Sequence, residues 1–206
     1  GYEPSSDTDY CPDTIYGESK VLTEKIVRKY DSRNMDWCLV RPTTIWGPKL
    51  NQHYQKLLHY INKGLYFHIG EDDLLKSYGY VKNIAYQYMQ LIKADRDMIH
   101  RKTFYLADYN PISLREYTEL IREELNAPPI KTIPKYIAYL LSRMGDLLNI
   151  VGFNSFPFNS FRINNILTEY TLDVSDLKKV CGEVPYTFEE GVREMVNWYK
   201  KEILNF

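Results

Sequence analysis

The sequence lacks several features that would place it in a class of protein at once. No apolar run reaches the roughly 18 residues that a membrane-spanning helix requires. The 26 Lys and Arg residues are balanced by 27 Asp and Glu residues, so the basic surface expected of a nucleic-acid or membrane-surface binder is missing. The first ten residues are polar and acidic, unlike a signal or transit peptide. We therefore expect neither a membrane nor a nucleic-acid partner.

Cysteine and histidine are also scarce. The three cysteines, Cys11, Cys38 and Cys181, are widely spaced and form neither a Cys-x-x-Cys pair nor a metal-ligand cluster. Scattered cysteines in odd number are typical of reducing compartments, so the sequence predicts free thiols in a cytoplasmic protein. The four histidines form no ligand pattern either, and no metal site is expected.

Tyrosine is the residue type in clear excess, with 19 copies in 206 residues. A Tyr-x-x-x-Lys spacing occurs twice, at Tyr16 and Lys20 and again at Tyr78 and Lys82. Chance alone places one or two such pairs in a chain of this composition. The spacing by itself is therefore uninformative, and only the surroundings of each pair can distinguish them.

The surroundings favour the first pair. Tyr16 lies in the first turn of an amphipathic helix predicted over 13–30, capped by Asp13 and followed by a buried strand and the turn at 41–48. The four-residue spacing puts Tyr16 and Lys20 on one face of that helix. A lysine ammonium beside a phenol favours the phenolate, which is a general base for an alcohol proton, while the phenol is the matching acid. Such a pair suits hydride chemistry at a carbinol carbon.

Helical and strand patterns alternate along the first half of the chain, and the second half is mostly helical. This order indicates an α/β fold with a parallel sheet and a smaller, mostly helical lobe. The predicted helices cover 13–30, 51–63, 81–93, 113–125, 133–150 and a last segment from 187; the predicted strands cover 37–40, 65–69 and 103–107, with a polar loop at 71–77 and a short strand-helix unit at 170–180.

Five motifs follow one another in a familiar order. They are the Tyr-x-x-x-Lys helix at 16–20, an Arg-Pro to Gly-Pro turn at 41–48, an Ile-Gly loop leading to Tyr-Val-Lys-Asn-Ile-Ala at 69–85, a strand and helix cap at 104–114, and a closing pattern at 180–199. Together they resemble the extended short-chain dehydrogenase/reductase family, the NAD-dependent epimerases and dehydratases, over nearly the whole chain.

The resemblance implies a domain organisation. The chain would be the C-terminal part of a Rossmann-like, doubly wound sheet with a smaller, mostly helical substrate-binding lobe. The NAD(P)-binding domain would take residues 1–48 and 80–107, and the substrate lobe would take 49–79 and 108–206.

The resemblance also implies roles on the cofactor side. Tyr16 would be the catalytic acid/base. Lys20 would stabilise the Tyr16 phenolate and hydrogen-bond the nicotinamide ribose. Pro42 and Thr43 would border the nicotinamide of NAD or NADP.

Three further residues would face the substrate. Thr44 stands where the family often has a substrate-binding Asn, and Lys76 stands where many members carry an Arg for the nucleotide diphosphate. A lysine supplies charge there without a bidentate fork. Arg162, in an Asn-rich and aromatic stretch, would pair with a phosphate. Asn83 departs from the family's usual Asp.

Two parts of the family pattern have no counterpart in the sequence. The ten glycines form no Gly-x-x-Gly-x-x-Gly loop, which in this family opens the chain and cradles the dinucleotide pyrophosphate. The family's catalytic Ser or Thr normally lies well upstream of the Tyr, and Ser5 and Ser6 are too close to Tyr16 to fill that role. We therefore expect a C-terminal fragment that is inactive alone and binds NAD weakly or not at all.

The resemblance predicts an NAD(P)-dependent epimerase or dehydratase acting on a nucleotide sugar, with a homodimer formed by the full-length protein. Two alternatives stay open. One is a reductase or hydroxysteroid-type dehydrogenase of the same family, in which the apolar run 137–150 would line a pocket. The other is a non-catalytic binding module on the same fold, for which Thr44 and Asn83 are the supporting departures.

Overall fold

A computed structural model describes residues 5–30, 35–151 and 159–204, apart from the side chain of His53. The helices in these segments are α1 (Ile15–Lys29), α2 (Gln52–Asn62), α3 (Val81–Lys93), α4 (Arg96–Ile99), α5 (Leu114–Leu125), α6 (Lys135–Ile150), α7 (Ser160–Leu167), α8 (Ser175–Cys181) and α9 (Phe188–Glu202). The strands are β1 (Leu39–Pro42), β2 (Thr44–Trp46), β3 (Phe67–Ile69), β4 (Leu75–Lys76), β5 (Tyr78–Tyr80), β6 (Thr103–Leu106), β7 (Ile112–Ser113) and β8 (Lys131–Ile133).

Parallel pairing dominates the strands. β1 pairs with β6, with Leu39 opposite Thr103 and Pro42 opposite Leu106. β2 pairs in parallel with β5, and β3 with β8, whereas β4 and β7 are antiparallel. Parallel strands need a crossover connection, and the one from β2 to β5 contains α2. The predicted α/β class with parallel pairing is confirmed.

An aromatic cluster forms the centre of the largest core. Trp46, at the end of β2, packs on Tyr80 with ring centroids 5.1 Å apart and on Tyr117 at 5.3 Å. Gly191 on α9 closes this cluster, because a Cβ at that position would lie 2.7 Å from the Trp46 ring. Part of the tyrosine excess is therefore core. The cluster includes residues from both predicted lobes, and the division into lobes stays a prediction.

Asn83 has a clear structural role on α3. Its buried side-chain amide donates to Asp108 Oδ1 (2.8 Å) and to the Tyr186 carbonyl oxygen (3.0 Å), and its own oxygen accepts from the Tyr186 N–H (3.1 Å). Burial raises the pKa of Asp108. An amide can donate and accept at once, so Asn83 joins a carboxylate to the loop before α9, which an ionised Asp could not do.

Several local predictions differ from the structure. Thr14, rather than Asp13, caps α1, because its Oγ1 accepts from the Gly17 N–H (3.0 Å). The predicted loop 71–77 contains β4, and the helix predicted over 133–150 begins later because β8 precedes it. Strands of two or three residues depend on distant partners and leave too little periodicity in the sequence to be recognised.

Two absences hold within the described segments. No helix there is long and apolar enough to span a bilayer. No three His, Cys, Asp or Glu side chains cluster to hold a metal in that part of the chain. Cys11, Cys38 and Cys181 are free thiols, as the sequence predicts.

Candidate active site

The Tyr-x-x-x-Lys pair lies on the open surface of α1. No side chain of this helix is buried, and Tyr16 is 71% exposed. Lys20 Nζ lies 5.0 Å from the centroid of the Tyr16 ring, so the two side chains meet as their spacing predicts. The Tyr16 hydroxyl has no hydrogen-bond partner among the described residues. Phenol and ammonium are therefore both accessible to a ligand.

An ion pair that we call the tether holds α1 to β1. Arg41 donates from Nε to Glu24 Oε1 (2.8 Å) and from Nη2 to Glu24 Oε2 (2.7 Å). The Arg41 and Glu24 side chains are only 21% and 16% exposed. Arg41 also donates to the Tyr105 hydroxyl (2.8 Å) and to the Asp7 carbonyl oxygen (2.7 Å). The hydrogen bond from Arg41 holds the pKa of Glu24 below its usual value.

A second polar contact fixes the direction of α1. Arg28 Nη2 donates to Thr103 Oγ1 (2.6 Å) at the start of β6. Glu24, one turn earlier in the helix, is tied to Arg41, whose partner in β6 is Tyr105. Moving from Arg28 to Glu24 therefore follows the strands towards their carboxyl ends. It follows that α1 runs antiparallel to β1 and β6.

This direction carries the pair to the carboxyl edge of the strands. A helix rises about 1.5 Å per residue, so Lys20 lies about 6 Å, and Tyr16 about 12 Å, beyond Glu24 along the helix. Pro42 ends β1 at this edge, and Thr43 donates its N–H and its hydroxyl to the last carbonyl oxygen of β6 (both 3.1 Å). Ligands of open α/β sheets bind beyond the carboxyl ends of the strands.

These residues fit the nicotinamide half of a dinucleotide. Tyr16 and Lys20 present an accessible hydroxyl and ammonium, and Pro42 and Thr43 form the strand edge towards which they are carried. A Gly-rich phosphate cradle has no counterpart in the 206 residues. The assignment of Tyr16, Lys20, Pro42 and Thr43 as cofactor-binding residues stays a prediction. It concerns only the nicotinamide side of the cofactor.

A cavity of about 940 Å³ opens between β2, α2, β3 and α7. Its size matches that of sites for small organic ligands. Thr44 and Arg162, which the sequence predicts to bind substrate, both line it although they are far apart in the chain. Most of the remaining wall is aromatic or aliphatic and includes Trp46, Tyr54, Tyr66, Tyr78 and Phe161.

Arg162 lies in the first turn of α7. Its backbone N–H donates to the Asn159 side chain, which caps the helix (2.8 Å). The guanidinium and the positive end of the helix dipole therefore lie at the same place on the cavity wall, and both favour an anion.

Lys76 occupies a different place from the other predicted substrate residues. It is buried, and its Nζ donates to the Asn165 carbonyl oxygen (3.0 Å) and to the Thr168 carbonyl oxygen at the end of α7. Burial lowers the pKa of Lys76. The structure does not bring Lys76 into the cavity wall with Thr44 and Arg162. Its role as a diphosphate ligand stays a prediction, and its visible role is to satisfy the carboxyl end of α7.

The cavity wall also contains polar groups that the sequence does not predict, and two of them are held by hydrogen bonds. His68, on β3, is buried with Nε2 3.2 Å from Glu119 Oε1, and burial lowers the pKa of His68. Arg115, on α5, donates from Nη2 to the Gly70 carbonyl oxygen (2.8 Å). Neither residue belongs to a recognisable spacing, and only the packing of α5 beside β3 brings them to the cavity. The sequence does not predict the tether either, because Glu24 and Arg41 are 17 residues apart and belong to no recognisable motif together.

The fold and the Tyr-x-x-x-Lys helix together define the class of protein as an extended short-chain dehydrogenase/reductase. The sequence profile of the 3-beta hydroxysteroid dehydrogenase/isomerase family matches residues 3–134, which is more than half of the chain. The chain therefore belongs to that family.

Curated relatives are similar at low identity. Short-chain dehydrogenase/reductase family 42E member 1 of Mus musculus is 22% identical over 202 residues, covering 90% of this chain and 51% of the relative. The N-acetyl-alpha-D-glucosaminyl-diphospho-ditrans,octacis-undecaprenol 4-epimerase of Escherichia coli O157:H7 is 22% identical over 201 residues, covering 93% of this chain and 58% of the relative. The chain thus spans about half the length of the curated relatives it matches.

Solved structures show the same fold. UDP-glucose 4-epimerase of Thermus thermophilus, in complex with NAD, superposes with a TM-score of 0.64 at 17% identity, over 98% of this chain and 59% of that structure. The epimerase Mth375 of Methanothermobacter thermautotrophicus superposes with a TM-score of 0.66 at 14% identity, over 96% of this chain and 54% of that structure. At these identities the likeness establishes the Rossmann-like fold.

Proposed function

We propose that the chain supplies the acid/base and substrate-binding parts of an NAD(P)-dependent epimerase or dehydratase acting on a nucleotide sugar. The observation that carries the proposal is the accessible Tyr16–Lys20 pair on a helix tethered so that it points to the carboxyl edge of β1 and β6. The cavity begins at the same edge, since Thr43 and Thr44 are consecutive residues and Thr44 lines it. A substrate in the cavity would therefore lie next to the proposed cofactor side.

In this proposal Tyr16 takes the proton from a sugar hydroxyl as the carbinol carbon is oxidised, and returns it when the ketone is reduced. Lys20 stabilises the phenolate between these steps. Reversible hydride acceptance is the chemistry that NAD(P) would supply when bound, and Lys20, Pro42 and Thr43 would hold its nicotinamide side. Thr44 hydrogen-bonds the sugar, and Arg162, with the first turn of α7, binds a phosphate of the diphosphate.

Two relatives support the sugar substrate. The E. coli protein is by name a 4-epimerase of a diphospho-linked amino sugar, and the T. thermophilus structure is a UDP-glucose 4-epimerase. Both are described as epimerases, so inversion at a carbinol carbon is the reaction that we expect first.

A hydroxysteroid-type dehydrogenase is the second candidate. The aromatic and aliphatic wall of the cavity favours it, because an apolar alcohol gains more from such a wall than a sugar does. The family profile that the chain matches carries the same name.

A homodimer of the full-length protein is part of the proposal. The outer face of α1 exposes Ile15, Leu22 and Ile26, which are 86%, 61% and 66% exposed. We expect Ile26→Glu to lower the mass of the full-length protein, measured by light scattering, to that of a monomer. Its melting temperature in dilute solution should stay unchanged.

The test uses the full-length protein with NAD and NADP and a panel of UDP-, GDP- and dTDP-sugars and hydroxysteroids. We expect Tyr16→Phe to lower kcat by about 10²–10⁴-fold with little change in KM. Tyr30→Phe, at an exposed position near the end of the same helix, is the matched control and should keep full activity.

The outcomes separate the candidates. Turnover of sugars supports the first proposal, and turnover of hydroxysteroids supports the second. Binding without turnover of any substrate would indicate a non-catalytic module, and full activity of Tyr16→Phe would overturn the role given to Tyr16. The 206-residue chain itself should bind NAD weakly or not at all, because its sequence contains no Gly-rich loop to hold the pyrophosphate. A micromolar dissociation constant for NAD, measured by titration, would contradict this expectation.

A further inference from the structure

His68 is a buried histidine on the wall of the cavity, and its direction follows from the pleat of β3. Successive side chains of a strand point to opposite faces. Ile69 packs with Ala138 of α6 and Ile163 of α7, and Phe67 packs against the same cluster. His68 therefore points to the other face of β3, towards α5, where its ring meets a carboxylate.

That carboxylate fixes the position of the ring proton. His68 Nε2 lies 3.2 Å from Glu119 Oε1, and Arg122 Nε donates to Glu119 Oε2 (2.6 Å). Burial opposes the ionisation of Glu119, but the hydrogen bonds from Arg122 and His68 hold its pKa below the usual value. Because an ionised carboxylate can only accept, Nε2 carries the N–H, and Nδ1 of the neutral ring keeps its lone pair.

The imidazole is neutral at neutral pH. Burial lowers the pKa of His68, and the positive charge of Arg115 acts in the same direction, against the carboxylates of Glu119 and Glu71. Arg115 is fixed beside β3, since its Nη2 donates to the Gly70 carbonyl oxygen (2.8 Å). Nδ1 is therefore a hydrogen-bond acceptor under these conditions.

This acceptor has no partner in the described parts of the chain, and it is open to the cavity. No group there hydrogen-bonds to His68 Nδ1, yet the atom is not sealed off as the unpartnered Nε1 of Trp46 is. Since His68 lines the cavity, the space that Nδ1 reaches is the cavity itself. The ring of Tyr66 stands edge-on to the imidazole, with centroids 5.7 Å apart and planes at 89°, and helps to hold its orientation.

We propose that His68 Nδ1 accepts a hydrogen bond from a hydroxyl group of the substrate bound in the cavity. The surrounding wall is mostly aromatic and aliphatic, so a ligand without a donor at this point would leave the acceptor unpaired and dehydrated. A nucleotide sugar and a hydroxysteroid both carry hydroxyl groups, and this is the chemistry that they share. The inference rests on the proposed use of the cavity as the substrate site, and it adds His68 to Thr44 and Arg162 as a specificity-determining residue.

A purely structural role would need only Nε2. The contact with Glu119 joins β3 to α5, and a glutamine amide could make it equally well. His68→Gln places its amide nitrogen near the position of Nε2 and leaves no acceptor at the position of Nδ1. His68→Asn places its amide near Nδ1 and is too short to reach Glu119. The two variants therefore separate the roles of the two ring nitrogens.

The first measurement is nitrogen NMR of the histidine rings in the full-length protein at pH 7.5, without ligand. We expect His68 to be the tautomer protonated at Nε2, and His68→Gln identifies its signals by removing them. A ring that carries its proton on Nδ1, or on both nitrogens, would overturn the proposal.

The second measurement is the binding of two probes, UDP-glucose and estradiol, to the same protein by calorimetry. His68→Gln should weaken binding at least about five-fold at an unchanged melting temperature, and His68→Asn should recover part of the affinity. The probe whose affinity falls identifies the source of the hydroxyl, and its binding should shift the Nδ1 resonance. His59→Gln, at an exposed position on α2 outside the cavity wall, is the matched control and should bind like the unchanged protein.

The outcomes distinguish this inference from the proposed function. Loss of turnover in Tyr16→Phe with an unchanged KM in His68→Gln would overturn the inference alone. A probe that binds through His68 without being turned over would support the inference and contradict the proposed function. Binding of neither probe would overturn both. Where a substrate is turned over, His68→Gln should raise KM and leave kcat nearly unchanged, because the contact is made in the ground state and the transition state alike.

Discussion

Replacing Glu24 by Gln tests whether the tether holds the helix that carries Tyr16. No side chain of α1 is fully buried, although Val21 and Val27 are half-buried, and the hydrogen bonds that hold the helix to the strands come from Glu24 and Arg28. Gln keeps the shape of Glu but removes its charge, and it turns one of the two acceptor atoms facing Arg41 into a donor. The substitution should therefore loosen α1 selectively.

The structure sets the size of the effect. Arg41 makes two charge-assisted hydrogen bonds to Glu24 across a pair that is about four-fifths buried, and the Tyr10 hydroxyl adds a third at 3.1 Å. A hydrogen bond to a charged group contributes about 1.5–3 kcal/mol. Losing one of them should speed the hydrogen exchange of α1 amides by about 10–100-fold.

The pH dependence follows from the lowered pKa of Glu24. A carboxylate whose pKa is lower in the folded state stabilises that state at neutral pH, and this contribution is lost as the pH falls through and below the usual value of 4.5. The difference in α1 amide exchange between the unchanged chain and Glu24→Gln should therefore be largest at pH 7 and become smaller in acid.

The assay is hydrogen exchange read by mass spectrometry, with α9 as the internal reference. Glu18→Gln, the same change on the exposed side of the same helix, should alter α1 exchange by less than about three-fold. Equal exchange of α1 in Glu24→Gln and in the unchanged chain at pH 7 would refute the tether. The role proposed for Tyr16 predicts that the loosened helix lowers kcat/KM of the full-length protein, because Tyr16 would lose its position.

Three further predictions concern other parts of the molecule. Gly191→Ala should destabilise the chain by about 1–3 kcal/mol in urea unfolding, since the new Cβ would meet the Trp46 ring at 2.7 Å, and an unchanged unfolding midpoint would contradict this packing. Lys76→Met should speed the hydrogen exchange of α7 amides and lower the melting temperature, because two carbonyl oxygens at the end of that helix lose their donor. Unchanged exchange would show that Lys76 does not stabilise α7. At pH 8 a thiol reagent should modify Cys11 rapidly and Cys181 only on unfolding, because Cys181 is buried with its pKa raised to about 11.

The Tyr78–Lys82 pair shows what context adds to a motif. In the structure Tyr78 belongs to β5 and Lys82 to α3, so their four-residue spacing does not place them on one helix face. Tyr78 lines the cavity, and Lys82 instead pairs with Glu194 (2.6 Å). The amphipathic helix that carries Tyr16 and Lys20, and the buried strand and turn at 41–48 that follow it, are the context that distinguishes this pair from Tyr78 and Lys82.

Long periodic segments were predictable, and pairings of distant residues were not. α2, α3 and α5 lie where the periodicity predicts them, and Ser113 caps α5 by accepting from the Glu116 N–H (3.0 Å). The burial of Lys76 depends on β4 pairing with β7 and on α7 ending above it, and neither is encoded near Lys76. The sequence therefore predicts Lys76 as a diphosphate ligand in a polar loop, whereas the structure buries it against the carboxyl end of α7.

The apolar periodicity of α1 has a different meaning from the one the sequence suggests. Ile15, Leu22 and Ile26 recur at helical spacing, which normally marks the buried face, yet they are exposed, and Glu24 on the opposite side faces the strands. Polar contacts through Glu24 and Arg28 fix the inner face, whereas Ile15, Leu22 and Ile26 stay mostly exposed among the described residues. Periodicity identifies a helix and its two faces, but only the contacts decide which face is turned inward. An apolar face that is turned outward on a tethered helix is a surface that a partner can cover, and the proposed homodimer of the full-length protein would cover the exposed face of α1.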